Sequence, residues 1–282
     1  MDDQRELFLP LQQLSLDNHR FVEDEEKLDE KSWKNNLVEK IKEITGYEFR
    51  NPNLLRQAFT HYSYLDGDKT CTASYERLEY MGDAVLSFFM AKEHFMKYPD
   101  LPPGQLTKLR AANVDNEKLA RVALKYELHK FLRHKKPLLG GQIKEFEEAI
   151  VNYPLHSSGL IDAPKALADV VESMVGAIYI DSNSIDTTCK ILENLLQPMI
   201  TPSILHAHPV TMLYEICQKN KVKLETKDLW EETGEIVFVV DGEFVGHGKF
   251  RAKRQVAKFR AAYDAYHKIL RKLNLGPKHD YD

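Results

Sequence analysis

The spacing of the apolar residues changes once along the chain, and this change constrains the fold more than any other feature. From about residue 33 to residue 198, apolar residues recur at helical spacing, with Gly and Pro at the points where helices are expected to end. Between about 223 and 250, runs of β-favouring residues replace that pattern. The sequence therefore predicts an all-α domain followed by a small α+β domain.

The α+β part is predicted to contain a helix, three strands and a second helix. The dipeptide Asp241-Gly242 separates the last two β-favouring runs, as expected for a tight hairpin. In chain order, the predicted elements span about 210–219, 223–229, 235–240, 244–250 and 254–273. Five elements in so short a stretch indicate one compact α-β-β-β-α module.

Further segments lie outside the two domains. Two prolines and weak periodicity after residue 198 indicate a linker. The acidic stretch EDEEKLDE at 23–30 has neither a helical nor a strand pattern, which is typical of a solvated extension. The predicted organisation is an acidic N-terminal extension (1–32), the all-α domain (33–198), the linker (199–208), the α+β module (209–275) and a tail (276–282).

Composition and charge exclude several classes of protein. Hydrophobic residues make up 43% of the chain and charged residues 29%, and no apolar run is long enough to span a bilayer, so we expect no membrane partner. The start, MDDQRELFLP, lacks the order of a secretory signal, and three scattered cysteines indicate no disulfide framework. We therefore expect the nucleus or the cytoplasm and not secretion.

The net charge of −4 is unevenly distributed. The stretch 249–272 contains nine Lys and Arg residues and one acid, Asp264, whereas the N-terminal segment is acidic. A basic helix of this kind is a candidate for binding phosphates, although a solvated basic face is the alternative. The two ends of the chain are expected to have different partners.

The helix predicted around YERLEYMGDAVL, at 75–86, carries three acids on one side. At about 100° per residue, Glu76, Glu79 and Asp83 fall within roughly 60° of one another, and we expect them to share an exposed face. Like charges at this spacing destabilise a helix by about 0.2 to 0.5 kcal/mol per pair, so a compensating cation is expected. The opposite side is predicted to be buried and consists of Leu78, Met81, Val85, Phe88 and Phe89.

A second pair of acids lies in an apolar helical segment, PKALADVVESMVGAIYID at 164–181. Asp169 and Glu172 are three residues apart there and need a partner if they are buried. Two helices that each present acids suit Mg²⁺, which prefers oxygen ligands and is often shared with a phosphate substrate. The alternative is that the acids are solvated or form ion pairs with Arg77, Arg110 or Lys165.

These motifs carry a family resemblance. The stretch 75–86 resembles the signature of the ribonuclease III family, and PKALADVVES is similar to that family's second acidic motif. LLRQAFTHYSY at 54–64 and LTKLRAANVDNEKLARVA at 106–123 fall in the expected order around them. The whole chain looks most like the plant ribonuclease III-like proteins, which implies an all-α ribonuclease III domain followed by an α+β double-stranded RNA-binding domain.

The resemblance implies roles for individual residues. The four residues that match the family's metal ligands, for Mg²⁺ or Mn²⁺ in its place, are Glu79, Asp83, Asp169 and Glu172. Glu76 matches the first signature acid and completes a set of five catalytic acids. Tyr80 matches an aromatic residue that packs into a partner subunit, although it could instead be covered by the chain's own loops.

In the α+β module the resemblance implies RNA contacts from both helices. The matching residues are Thr211, Tyr214, Glu215 and Gln218 in the first helix, and Lys253, Arg254 and Lys258 at the start of the second. Two features depart from the pattern: Gln255 stands where a second lysine is usual, and the Gly-Pro-x-His loop after the first strand is absent. We therefore expect weak, shape-based binding of double-stranded RNA.

The function that the resemblance implies is Mg²⁺-dependent cleavage of double-stranded RNA by a homodimer. The expected products have 5′-phosphate and 3′-hydroxyl ends with short 3′ overhangs. Two alternatives are a non-catalytic RNA-binding scaffold and an adaptor that forms a heterodimer with another ribonuclease III-like protein through Tyr80. A scaffold is expected to have lost catalytic acids, and this sequence has all five.

Overall fold

The computed structural model describes residues 29–65, 73–205 and 208–273. Most of the predicted N-terminal extension and the whole predicted tail lie outside these residues. Residues 29–32, which we assigned to the extension, are helical and belong to α1, which covers 29–45.

The described N-terminal part is helical, as predicted. After α1 come α2 (Pro52–Ala58), α3 (Glu76–Lys97), α4 (Pro103–Asn113), α5 (Asn116–Lys125), α6 (Leu139–Ile150), α7 (Lys165–Ser182) and α8 (Ile185–Leu195). Two short 3₁₀ turns, Tyr62–Tyr64 and Leu128–Phe131, complete it. A single β-bridge joins Thr60 to Arg133 and brings the segments around these two turns together.

Helix α7 is the centre of this domain. All but four of its 18 residues are buried, because neighbouring helices cover it on several sides. Its crossing with α3 is unusually close at two glycines. A methyl group on Gly82 would overlap the main-chain carbonyl of Glu172, and one on Gly176 would overlap that of Leu78. Because neither glycine has a side chain, the two acid-bearing helices can touch through their main chains.

The prediction that Phe88 is buried on α3 is wrong. Its side chain is 51% exposed, whereas Leu78, Val85 and Phe89 are buried as expected. Phe88 lies two turns beyond Tyr80, which is 78% exposed, and two turns before Phe95, which is 72% exposed. An apolar stripe consisting of Tyr80, Ala84, Phe88, Ala91 and Phe95 therefore runs along the outer face of α3.

The C-terminal module has the predicted order of elements. It consists of α9 (Pro209–Lys219), β1 (Leu224–Leu229), a one-turn helix α10 (Trp230–Thr233), β2 (Glu235–Val240), β3 (Glu243–Lys249) and α11 (Arg254–Lys272). The strands form an antiparallel sheet in the order β1-β2-β3. Asp241 and Gly242 both have positive φ, which confirms the predicted tight turn between β2 and β3.

Small residues let α11 lie directly on this sheet. The methyl groups of Ala257, Ala261 and Ala265 are buried, and side chains at Gly246 or Gly248 of β3 would overlap the helix. Within the described ranges, no helix is long and apolar enough to cross a membrane.

Candidate active site

Helices α3 and α7 bring three of the predicted acids together. Glu79 comes from α3, and Asp169 and Glu172 come from α7. One carboxylate oxygen from each lies within 4.8 Å of those of the other two. The glycine contact between the helices makes this convergence possible, because a wider separation would move Glu79 away from α7.

Lys165, at the start of α7, supplies a cation to this group. Its Nζ donates hydrogen bonds to Glu79 Oε1 at 2.7 Å and to Asp169 Oδ1 at 2.5 Å. The ion pair that sequence reasoning left as an alternative is therefore present. The Tyr75 hydroxyl donates to the other oxygen of Asp169 at 2.8 Å and orients this buried carboxylate.

The cluster strongly disfavours a full set of negative charges. Burial and the neighbouring charges of Asp169, Glu79 and Asp83 raise the pKa of Glu172 to about 7. Burial also raises the pKa of Glu79, although the hydrogen bond from Lys165 opposes this. Burial lowers the pKa of Lys165, but its two carboxylate partners more than compensate and raise it above its ordinary value. The site therefore favours bound positive charge.

The other two predicted acids are placed differently. Asp83 lies one turn beyond Glu79 and is exposed, outside the group of three. Its charge nevertheless helps to raise the pKa of Glu172, so it borders the site. Glu76 is half-buried and accepts a hydrogen bond from the Ser74 hydroxyl. The expectation of one shared exposed face is wrong for Glu76 and Glu79. Glu76 is hydrogen-bonded to Ser74, and Glu79 packs against α7, where Lys165 contacts it.

The donor set fits a hard divalent cation. All the available donors are carboxylate oxygens, which Mg²⁺ and Mn²⁺ prefer over nitrogen or sulfur. The Lys165 ammonium already places one positive charge between Glu79 and Asp169. Among the described residues, no cation forms an ion pair with Glu172, and Asp83 is open to solvent, so these two acids can supply oxygens on the remaining side.

Sequence reasoning missed a basic segment near this site. Four consecutive basic residues, RHKK at 133–136, follow the second 3₁₀ turn. Their main chain is joined to the segment 59–63: Arg133 N donates to Phe59 O at 2.9 Å, and Lys135 N donates to Ser63 Oγ at 3.0 Å. The ring of His61 in turn lies 5.5 Å from that of Tyr75, which contacts Asp169. The run of four basic residues was the sequence signal that could have predicted this segment.

The residues predicted to contact RNA lie on both helices of the C-terminal module. Thr211, Tyr214, Glu215 and Gln218 are all exposed on one face of α9. At the start of α11, Lys253 Nζ donates to Asp162 Oδ1 at 3.0 Å and Arg254 Nε donates to Asp228 Oδ2 at 2.7 Å. Lys258 is half-buried on the first turns of the same helix. The one-turn helix α10 lies between β1 and β2, at the position of the Gly-Pro-x-His loop that this sequence lacks.

Comparison with known proteins identifies the family. Residues 76–183 match the family model described as Ribonuclease III domain. Ribonuclease 3-like protein 3 of Oryza sativa subsp. japonica is 46% identical over 239 residues, which make up 82% of this chain and 78% of that protein. The chain belongs to the ribonuclease III family.

Two further ribonuclease III relatives match most of this chain but smaller shares of their own length. Ribonuclease 3-like protein 2 of Arabidopsis thaliana is 37% identical over 82% of this chain and 60% of its own length. Endoribonuclease Dicer homolog 1 of the same plant is 43% identical over 76% of this chain but only 12% of its own length. Membership places the chain among ribonuclease III-type endoribonucleases. The matched ribonuclease III region contains all five predicted catalytic acids, together with Tyr80 and Lys165.

Proposed function

We propose that the protein is a Mg²⁺-dependent endoribonuclease that cleaves double-stranded RNA. The observation that carries this proposal is the convergence of Glu79, Asp169 and Glu172 within 4.8 Å of one another, inside the matched ribonuclease III region. A buried cluster of acids that raises the pKa of its own members is poised to bind cations. The phosphodiester to be cleaved is anionic, so these acids would repel it unless they held a cation.

In this proposal the chain's residues hold and orient the reacting groups. The ligands are Glu79, Asp83, Asp169 and Glu172, with Mn²⁺ as a substitute for Mg²⁺. A cation held by these residues would neutralise phosphate charge and activate the attacking water. Tyr75 keeps Asp169 in one orientation through its 2.8 Å hydrogen bond. The products carry 5′-phosphate and 3′-hydroxyl ends with short 3′ overhangs.

We further propose that the active form is a homodimer. One set of acids per chain cuts one strand, so two chains are needed to cut a duplex. The apolar stripe of α3 supports this, because three aromatic side chains, Tyr80, Phe88 and Phe95, stand exposed in line on one helix face. A second copy covers the same stripe in a two-fold arrangement, in which each patch meets its equivalent. A heterodimer with another ribonuclease III-like protein uses the same surface.

We also propose that the C-terminal module is a double-stranded RNA-binding domain. Its α-β-β-β-α order, the exposed polar face of α9 and the basic start of α11 support this. The RHKK segment at 133–136 offers additional positive charge on the ribonuclease III domain. The bulk of binding is expected to be electrostatic and independent of sequence, and therefore to weaken with salt.

Cleavage of a long, perfectly paired RNA in Mg²⁺ tests the nuclease. We expect the wild type to yield short duplexes and Asp83→Ala to yield none. Asp100→Ala, which removes an exposed carboxylate from the turn after α3, is the matched control and is expected to cleave normally. If the wild type binds the duplex but leaves it intact with either Mg²⁺ or Mn²⁺, the nuclease is refuted and the scaffold or an obligate heterodimer takes its place.

A further inference from the structure

We propose that the C-terminal module is docked on the helical domain in a closed arrangement that withholds part of its RNA-contacting surface. Duplex RNA must release the module before it can bind fully. This inference rests on the proposed RNA-binding role of the module, and it concerns the contacts between α11 and the loop that precedes α7.

Three contacts, to Gly159, Leu160 and Asp162, form the docking surface on residues 159–162. Phe259 packs so closely on Gly159 that a methyl group at this glycine would overlap its ring. Arg260 Nε donates to Leu160 O at 2.9 Å, and Lys253 Nζ pairs with Asp162 Oδ1 at 3.0 Å. Gly159 also has a φ of +90°, a main-chain conformation that residues with a side chain adopt only with strain. Apolar, hydrogen-bonded and charged contacts thus coincide on one short segment.

The docking loop is itself held firmly by the helical domain. Ser157 is buried and donates to Glu117 from both its main-chain N, at 2.8 Å, and its hydroxyl. Next to it, His156 Nε2 lies 2.7 Å from Asp115 Oδ2. Glu117 is also buried and paired with Arg121. These contacts anchor residues 156 and 157 to the helical domain, and the module covers residues 159–162, which follow them.

Part of the polar face of α9 is turned towards the helical domain across a cavity of about 570 Å³. Thr211 and Glu215 line it from α9, and Gln105 and Lys108 line it from α4. The cavity has room for several waters, so these side chains are hydrated, but it is far smaller than the space that an RNA duplex along α9 would need.

The closed arrangement also neutralises the basic residues at the start of α11. Asp162 of the ribonuclease III domain is paired with Lys253, and Asp228 at the end of β1 is paired with Arg254. An RNA phosphate must replace these carboxylates to reach the same cations. Asp228 remains beside Arg254 in any position of the module, whereas Asp162 is removed when the module undocks. Undocking thus frees Lys253, Thr211 and Glu215 together.

The closed arrangement is expected to raise the apparent dissociation constant for duplex RNA. If only a fraction of molecules is open, the apparent dissociation constant equals the intrinsic one divided by that fraction. A closed population of roughly 70 to 90% therefore weakens duplex binding about threefold to tenfold. A substitution that destabilises docking without touching the RNA-contacting residues should recover that factor.

The test measures docking and RNA binding separately in the full chain. Hydrogen–deuterium exchange of residues 159–162, which the docked module covers, reports docking without RNA. Fluorescence anisotropy with a labelled RNA duplex in metal-free buffer reports affinity without cleavage, so the result does not depend on nuclease activity. Asp162→Lys replaces the attraction to Lys253 with repulsion, and we expect faster exchange and about threefold to tenfold tighter binding.

Two further variants separate undocking from added charge. Glu225→Lys makes the same charge change at an exposed position of β1, away from the loop, and is expected to leave exchange unchanged and to tighten binding less. Phe259→Ala removes a docking contact without changing charge and is expected to act in the same direction as Asp162→Lys. Faster exchange without tighter binding, or an equal effect of Glu225→Lys, overturns the inference. Absence of duplex binding in every variant instead refutes the proposed RNA-binding role.

Discussion

Replacing Glu172 with Gln is expected to stabilise the metal-free protein and to weaken its stabilisation by metal. The substitution keeps the shape of the side chain and removes its negative charge. Glu172 is buried beside Asp169 and Glu79, and these surroundings raise its pKa from 4.5 to about 7. Each pKa unit corresponds to about 1.4 kcal/mol, so the ionised side chain costs the folded state roughly 3 kcal/mol at pH 8.

The sign of the pH dependence follows from this shift. Between about pH 4.5 and pH 7 the folded protein binds more protons at Glu172 than the unfolded chain does, so stability falls as the pH rises through this window. Below pH 4.5 both states hold the proton, and the cost of Glu172 vanishes. The glutamine variant carries no charge to bury and therefore lacks this component.

Urea unfolding in EDTA at pH 8 and at pH 5 measures the effect. We expect Glu172→Gln to raise the free energy of unfolding by about 2 to 3 kcal/mol at pH 8 and by much less at pH 5. Saturating Mg²⁺ should stabilise the wild type by about 2.7 kcal/mol at 100 times its dissociation constant, and the variant by far less. Glu193→Gln, an exposed control on α8, should change stability by under about 0.5 kcal/mol at either pH. A variant no more stable than wild type at pH 8 would refute the electrostatic account of the cluster.

Three further predictions concern the helices of the site. Gly82→Ala should destabilise the protein by about 2 to 4 kcal/mol, seen as a lower urea midpoint, because the added methyl meets the main chain of α7. Lys165→Met should lower the metal-free free energy of unfolding at pH 8 by about 1 kcal/mol, because two carboxylates lose their cation. For the same reason Mg²⁺ should stabilise this variant more than the wild type, and an unchanged stabilisation by Mg²⁺ contradicts the prediction. Phe88→Asp should give a monomeric mass by light scattering and little duplex cleavage, whereas a dimer of normal activity would exclude the α3 stripe as the interface.

Much of the fold could be predicted from local patterns. Helical spacing predicted the N-terminal helices, and the β-favouring runs around Asp241-Gly242 predicted the hairpin, because both patterns reflect which faces of a regular element are buried. The acids were found in the same way, from their spacing on α3 and α7. Their roles as ligands, and that of Tyr80 as a dimer contact, remain predictions.

Local spacing could not predict which neighbour each side chain meets. Phe88 was assigned to the buried side because it is apolar, yet no described element covers that face of α3. Glu79 was expected in solvent, but the glycine crossing turns it towards α7 and Lys165. Lys165 appeared as one of three possible cationic partners, and only the arrangement of the helices selected it.

The sequence by itself determined the elements, their order and the identity of the acids, since these depend on residues close together in the chain. The tertiary structure decided the close approach of α3 to α7, the choice of Lys165 as the cation beside the acids, and the contact of α11 with the loop at 159–162. These depend on residues as far apart as Gly82 and Glu172, or Leu160 and Arg260. Such contacts are selected by packing and charge in three dimensions, and no periodicity along the chain encodes them.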